Sequence, residues 1–393
     1  MKFDFDRVID RRNTHSAKWD RMGAACNLDA PDAIAMWVAD MDFAAPPAVR
    51  DALSAEVERS THGYYDSNQG WREAQCAWLE RRHGWRPDPQ WVSTTPGIVS
   101  ALGLILQAFS EPDDEIIVFS PAYHAFRIII EMNGRRIFNM PMIQEQGRYR
   151  MDIDGLAANM PKRGKIVFFC SPHNPGGRVW EREEIRSVAD FCAANDLLLV
   201  SDEIHCDLVF SGSRHLPTAM VAPDIMDRLI TCVAATKAFN LAGAHVGAAI
   251  TSNPELKKKL DARINASALS SYNLFGMIAT EAALRHGDEW LDQLIPYLEA
   301  NRDHFSAEIA KAVPGARAMH LEATYLAWVD FSGTGLAHDD VMDRITNKAR
   351  IGVSPGPQFG PGGENHVRFN LATQRYWVDE ALSRMREAFS DIG

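Results

Sequence analysis

From about residue 90 to residue 255 the chain alternates short, wholly apolar, β-rich runs with stretches of helical periodicity, and few architectures admit that pattern. A strand apolar at every position must be covered on both faces, which in practice means a mostly parallel sheet sandwiched between helices. The clearest predicted strands are 115–119, 165–170, 197–201, 229–234 and 246–251, and helical periodicity fits Ile98–Phe109, 181–195 and a long stretch from about 255 to 284. Beyond about residue 290 the pattern changes to a helix, a strand over 323–331, the loop P-G-P-Q-F-G-P-G-G, a strand at His366–Asn370 and a final amphipathic helix. That tail is read as an α+β unit packing with the N-terminal arm. The expected division is an arm over 1–45, a large α/β domain over 46–287 and a small domain over 288–393. A chain of 393 residues is long enough for more than one core.

Hydrophobic and charged shares of 46% and 24% exclude a disordered or fibrous chain. The net charge of −11 leaves no basic footprint, so neither nucleic acid nor an anionic membrane is expected as a partner. Six scattered cysteines without C-x-x-C spacing read as reduced thiols, and no metal is expected. The acidic start M-K-F-D-F-D lacks an apolar leader pattern, and no uncharged run reaches membrane-span length, which makes the cytoplasm the expected compartment.

In an open α/β sheet, ligands bind beyond the carboxyl ends of the strands. Polar residues stranded just after apolar runs are therefore the informative ones. Tyr123 follows the first run in S-P-A-Y, Asn174 follows the second in S-P-H-N-P-G-G, Asp202 ends the third, and Thr236 and Lys237 follow the fourth. Each alone has an ordinary reading: a solvated lysine, a capping aspartate, a turn asparagine, a packed tyrosine. Together an aromatic, an amide, a carboxylate and an amine suit a pyridine ring bearing a phenolic oxygen and an aldehyde: a face to stack on, a donor, a partner for the ring nitrogen and an amine for the carbonyl. The turn T-T-P-G-I-V-S opens a helix at Gly97 and Ile98, whose free N–H groups can take a phosphate.

These residues resemble fold-type I pyridoxal-phosphate enzymes of the aminotransferase class I/II superfamily over nearly the whole chain. More narrowly, K-W-D at 18–20, M-W-V-A-D-M-D-F at 36–43, H-G-Y at 62–64, S-P-H-N-P-G-G at 171–177, S-D-E-I-H at 201–205 and T-K-A-F-N-L-A-G at 236–243 resemble the MalY/PatB group of cystathionine β-lyases, or cysteine-S-conjugate β-lyases. The resemblance implies a mostly parallel seven-stranded large domain and a homodimer with shared active sites. It implies that Lys237 carries the cofactor as a Schiff base and serves as acid and base at Cα. Asp202 would keep the pyridine nitrogen protonated, Asn174 and His205 would face the phenolic oxygen, and Tyr123 would stack on the ring. Gly97, Ile98 and Thr236 would hold the phosphate, with Tyr64 reaching in from a second subunit. Arg368 in H-V-R-F-N would clamp the substrate carboxylate, and Trp37 would line the substrate pocket beside Asn174 and Tyr64.

Two positions depart from the aminotransferase pattern. His245 stands eight residues after the lysine in place of a phosphate-binding arginine, and Ala234 stands three before it in place of a hydroxyl residue. Both lean towards the lyase group. The implied reaction is α,β-elimination from cystathionine or another S-substituted cysteine, giving pyruvate, ammonia and a thiol. A transamination between an amino acid and a 2-keto acid uses the same groups and is the alternative. A non-catalytic binding role on this fold is disfavoured by the presence of Lys237, Asp202, Asn174 and Arg368 together.

Overall fold

The computed structural model describes residues 3–392. Its central sheet has seven strands: β1 (Val92–Thr95), β2 (Glu115–Ser120), β3 (Arg136–Pro141), β4 (Gly164–Cys170), β5 (Leu198–Asp202), β6 (Leu229–Val233) and β7 (Gly247–Ile250). They lie in the order β1-β7-β6-β5-β4-β2-β3. Only β7 runs against its neighbours; the other pairings in the sheet are parallel. The five strands read from the sequence are present. β1 is polar in sequence and β3 is an edge strand, and neither carries the continuous apolar signal.

Period-two geometry explains why those runs had to be apolar throughout. In β4, Val167 and Phe169 enter one core while Ile166, Phe168 and Cys170 enter another across the sheet. β2 divides in the same way, Ile117 and Phe119 to one side and Ile116 and Val118 to the other. The helices used below are α1 (Gln69–His83), α2 (Ile98–Phe109), α3 (Arg182–Ala194), α4 (Pro254–Ala266), α5 (Leu274–His286), α6 (Asp288–Ala312) and α7 (Arg375–Ala388). Helices α2 and α4 close one face through Leu102, Ile105, Leu260 and Ile264. Helices α1, α3 and α5 close the other through Trp71, Trp78, Val188 and Leu284.

The expected long helix over 255–284 is two. It breaks after α4 where Ala268 turns left-handed at φ +57, and α5 restarts at Asn273, whose side chain accepts from the Gly276 N–H at 3.2 Å.

A second, antiparallel sheet comprises β8 (Arg317–Ala318), β9 (Leu326–Asp330), β10 (Ser354–Pro355) and β11 (His366–Asn370), in the order β8-β9-β11-β10. Its core includes Val329, Val367 and Phe369 with Val378 and Leu382 of α7. The N-terminal arm serves both cores: Ile34 and Met36 pack with the small sheet, whereas Phe5, Met41 and Phe43 pack with the large one. α6 also straddles them, with Trp290, Leu291 and Leu294 in the large core and Phe305 and Ile309 in the small. Among the described residues, no helix is long and apolar enough to cross a membrane.

Candidate active site

Strand register builds the site. Cys170 pairs with Asp202, and Asp202 with Cys232, so β4, β5 and β6 end level with one another. The residues that follow them therefore converge on one rim. A cavity of about 380 Å³ sits there, lined by Gly97, Ile98, Tyr123, Asn174, Asp202, His205, Thr236 and Lys237, with Ala39 and His245 also on its wall. Eight of the residues singled out from the sequence thus meet around one space.

Lys237 lies in the single helical turn Ala235–Ala238 that follows β6. Its Nζ donates to the Ala39 carbonyl at 2.7 Å. Burial lowers its pKa to about 8, helped by the Arg368 charge and opposed by Asp40 and Asp202. Asp202 is 3% exposed; its Oδ1 accepts the Ile204 N–H at 3.2 Å. Burial lifts this carboxyl to about 7, with Glu203 adding to the rise and the Ile204 N–H and Lys237 opposing it. The cavity thus holds an amine and a carboxyl whose proton affinities are drawn towards each other near neutral pH, a mark of functional sites.

Asn174 and Arg368 are joined across the two sheets. Arg368 Nη1 donates to Asn174 Oδ1 at 3.0 Å, and Nη2 donates to the Trp37 carbonyl at 3.0 Å and to Ser354 Oγ at 3.3 Å. With its oxygen so used, the Asn174 amide nitrogen is left to donate elsewhere. Arg368 is buried, packs over the Phe359 ring at 4.8 Å, and leaves Nε without a partner. Burial lowers its pKa to about 10, which keeps it cationic at neutral pH. His205 is 2% exposed with Nδ1 unpartnered, and burial together with the charges of Lys237 and Arg368 lowers it to about 3, so its ring is neutral. Burial raises the Tyr123 phenol above its ordinary value.

Gly97 caps α2 at φ +93 and ψ 168, without a side-chain cap, so the first N–H groups of that helix are open to an anion. A Cβ at Gly97 would meet nothing within 4 Å and would project into open space. His245 comes to the same cavity in a left-handed conformation at φ +50.

Two expected residues are elsewhere. Trp37 does not line the cavity: its indole N–H donates to the Lys18 carbonyl at 2.8 Å and its ring packs with the N-terminal arm. Only its backbone oxygen touches the site, through Arg368. Tyr64 is 96% exposed and away from the cavity of its own chain. The backbone of the N-terminal arm also builds the site. Asn240 Nδ2 holds the carbonyls of Met41 and Phe43 at 2.9 and 3.0 Å and its Oδ1 accepts the Met41 N–H at 3.0 Å, fastening the arm so that Ala39 faces Lys237. Lys18, Trp19 and Arg11 clasp Asp42 from the other side. Both motifs were visible as K-W-D and T-K-A-F-N, but contacts made through main-chain oxygens leave no residue-type signature.

The sequence profile of aminotransferase class I and II proteins matches residues 31–385. The chain belongs to this family. Within it, the protein is similar to the cystathionine beta-lyase PatB of Bacillus subtilis strain 168, 36% identical over 98% of this chain and 100% of that protein. Among solved structures it resembles cystalysin from Treponema denticola, described as containing pyridoxal 5′-phosphate, at 30% identity and a TM-score of 0.96 with both chains fully covered. It also resembles the PLP-bound C-S lyase from Staphylococcus hominis, at 30% identity and a TM-score of 0.91 over 99% of this chain and 98% of that one.

The residues present fit the cofactor of this family member's relatives. An uncapped helix start with a Cβ-free cradle suits a phosphate. A buried carboxyl suits a ring nitrogen, the spare amide N–H of Asn174 suits a phenolic oxygen, and an amine of lowered pKa suits an aldehyde.

Proposed function

We propose that this protein is a pyridoxal-phosphate-dependent carbon–sulfur β-lyase, cleaving cystathionine or another cysteine S-conjugate to pyruvate, ammonia and a thiol. The observation that carries the reading is the convergence of Lys237, Asp202, Asn174, His205 and Tyr123 on one cavity beside the buried guanidinium of Arg368. The likeness to PatB, cystalysin and the staphylococcal C-S lyase supports the sulfur chemistry.

When bound, the cofactor supplies an aldehyde that links to amines and a ring that withdraws electrons from Cα. The chain's own residues do the rest. Lys237, partly neutral near pH 8, would hold the aldehyde end and, when free, would be the base that takes the Cα proton. Asp202, on the cavity wall, would hold the ring nitrogen and favour its protonated form. The Asn174 amide N–H would donate to the phenolic oxygen while its side-chain oxygen accepts from Arg368, so one residue would couple cofactor and substrate positions. Arg368, cationic and with Nε unpartnered, would receive the substrate α-carboxylate. Gly97, Ile98 and Thr236 take the phosphate. The arm, fastened by Asn240, roofs the lysine through Ala39 and limits water at the reacting carbon. Departure from Cβ of the thiolate, which takes up a proton to become the thiol, would leave aminoacrylate, and one water then hydrolyses the released aminoacrylate to pyruvate and ammonia.

The enzyme acts as a cytoplasmic homodimer in this reading, with Tyr64 of each copy reaching the other's phosphate; the 96% exposure of Tyr64 in the single chain supports this. The deciding experiment incubates the purified enzyme with cystathionine and S-substituted cysteines, with and without a 2-keto acid. Pyruvate and thiol without added keto acid are expected. Product formation that strictly requires the keto acid makes the protein an aminotransferase instead.

A further inference from the structure

Behind the strand end that carries Asp202 lies a second cluster of reactive side chains, to which the reaction above assigns no part. His83 ends α1, and Cys206 and Asp207 follow β5 in the turn that begins at Asp202. One ligand atom from each lies within 4.8 Å of the other two. More than a hundred residues separate His83 from Cys206 in sequence, so no metal-ligand spacing betrays them. We propose that His83, Cys206 and Asp207 form a Zn²⁺ site, with the fourth position open to a neighbouring cavity.

Several observations converge on this assignment. The donor set is one imidazole, one thiol and one carboxyl, a mixture that suits zinc and that oxygen-seeking Mg²⁺ or Ca²⁺ does not use. His83 and Cys206 are 8% and 5% exposed and the Asp207 side chain is 5% exposed. A divalent ion bound by one thiolate and one carboxylate is charge-neutral there, which removes the cost of burying a lone cation.

Asp207 is already half prepared. Its Oδ1 accepts from Trp78 Nε1 at 3.0 Å and lies 2.7 Å from His83 Nε2, while Oδ2 has no protein partner among the described residues. Zinc–ligand lengths of about 2.0–2.3 Å put tetrahedral donors roughly 3.3–3.8 Å apart, and the three ligand atoms here lie within 4.8 Å of one another.

His215 lies beside the cluster. It is 3% exposed; its ring meets His83 edge-on with centroids 5.3 Å apart, and its Nε2 lies 2.9 Å from Glu203 Oε2. Its Nδ1 is buried with no partner. Its ring, held by Glu203 through one nitrogen, packs against His83 on the side of the cluster. His83, Cys206, Asp207 and His215 all line one cavity of about 400 Å³, which gives the ion a path in and the fourth position a water. The turn over 202–207 is therefore two-sided. Asp202 and His205 line the cofactor cavity, and Cys206 and Asp207 line the zinc cavity. The site does not depend on which reaction the enzyme catalyses.

The test uses holoenzyme incubated with excess zinc chloride, dialysed against a weak chelator, and assayed by elemental mass spectrometry and zinc-edge X-ray absorption. Expected are one zinc per chain, no retained Mg²⁺ in a parallel sample, and a first shell containing one sulfur at about 2.3 Å. Cys206→Ser and His83→Gln should each weaken zinc binding by at least about tenfold, while the cofactor absorbance of both variants shows that they remain folded. No retained zinc, a sulfur-free shell, or a sulfur shell that persists in C206S overturns the proposal. If a variant fails to fold, the sulfur shell of the unmodified enzyme decides alone.

Discussion

Arg368 of the small sheet donates to Asn174, in the loop that follows β4 of the large one, at 3.0 Å, and this bond fixes the small sheet against the rim of the cavity. Asn174→Ala removes an acceptor from a buried cation and a donor from the cofactor side at once. Hydrogen bonds to charged groups are worth about 1.5–3 kcal/mol, so kcat/KM should fall by roughly 10- to 100-fold or more, with KM for the amino acid rising. Steady-state kinetics check this; an unchanged KM would show that Arg368 holds its place without Asn174.

If Lys237 is the residue that links to the cofactor aldehyde, its lowered pKa predicts how the cofactor loads. Only the neutral amine attacks an aldehyde, and burial brings that form within reach at about pH 8. Reconstitution of the cofactor-free enzyme should quicken as pH rises from 6 and level off above about 8. Stopped-flow absorbance measures it. A rate still climbing towards pH 10 would mean that the amine keeps its ordinary proton affinity. Lys237→Ala should give no borohydride-stable adduct and no turnover.

Asp202 is maintained against stability. Its folded pKa of about 7 lies above the ordinary 3.8, so its protonated form is favoured by folding. The stability it contributes is full below about pH 4 and is lost as pH rises through about 7, a difference on the order of 3–4 kcal/mol. Asp202→Asn should therefore melt higher than the parent above pH 7 when both lack cofactor, while losing most activity. Calorimetry of the two cofactor-free proteins at pH 5 and pH 8 separates these effects; a D202N protein less stable at pH 8 contradicts the burial argument.

At Gly97 the backbone conformation, φ +93 and ψ 168, is one that only glycine adopts without strain. Gly97→Ala should cost about 1–3 kcal/mol of folding stability for that reason alone, since a Cβ there meets no protein atom. It should also weaken cofactor binding by about tenfold or more, because the methyl occupies the opening in front of the α2 N–H groups. A variant that melts lower yet binds cofactor normally would move the phosphate away from this turn.

What could be read in advance follows from which interactions leave a residue-type trace. β4 and β5 announce themselves because both faces are buried, and their ends mark Asn174 and Asp202. β1, V-S-T-T, is just as buried but polar, its Ser93 hydroxyl satisfied by Asp261 at 2.6 Å, so no apolar run reveals it. Trp37 shows the opposite failure. It sits in a motif that does reach the site, but through its carbonyl, with the ring turned to Lys18. The roof over Lys237 is an alanine carbonyl, and any residue could supply that.

The exposed Tyr64 yields a test of shared sites that needs no structure of the assembly. If Tyr64 of one copy completes the phosphate site of the other, Lys237→Ala and Tyr64→Ala each inactivate or cripple both sites of their own homodimers. Mixed and re-associated, half of the dimers are hybrids, and in each hybrid one site receives an intact Lys237 from one chain and an intact Tyr64 from the other. Activity should then recover to about a quarter of the parent level. Mixtures that stay at the level of the separate variants would show that Tyr64 acts within its own chain or not at all, and its 96% exposure would then need a different partner.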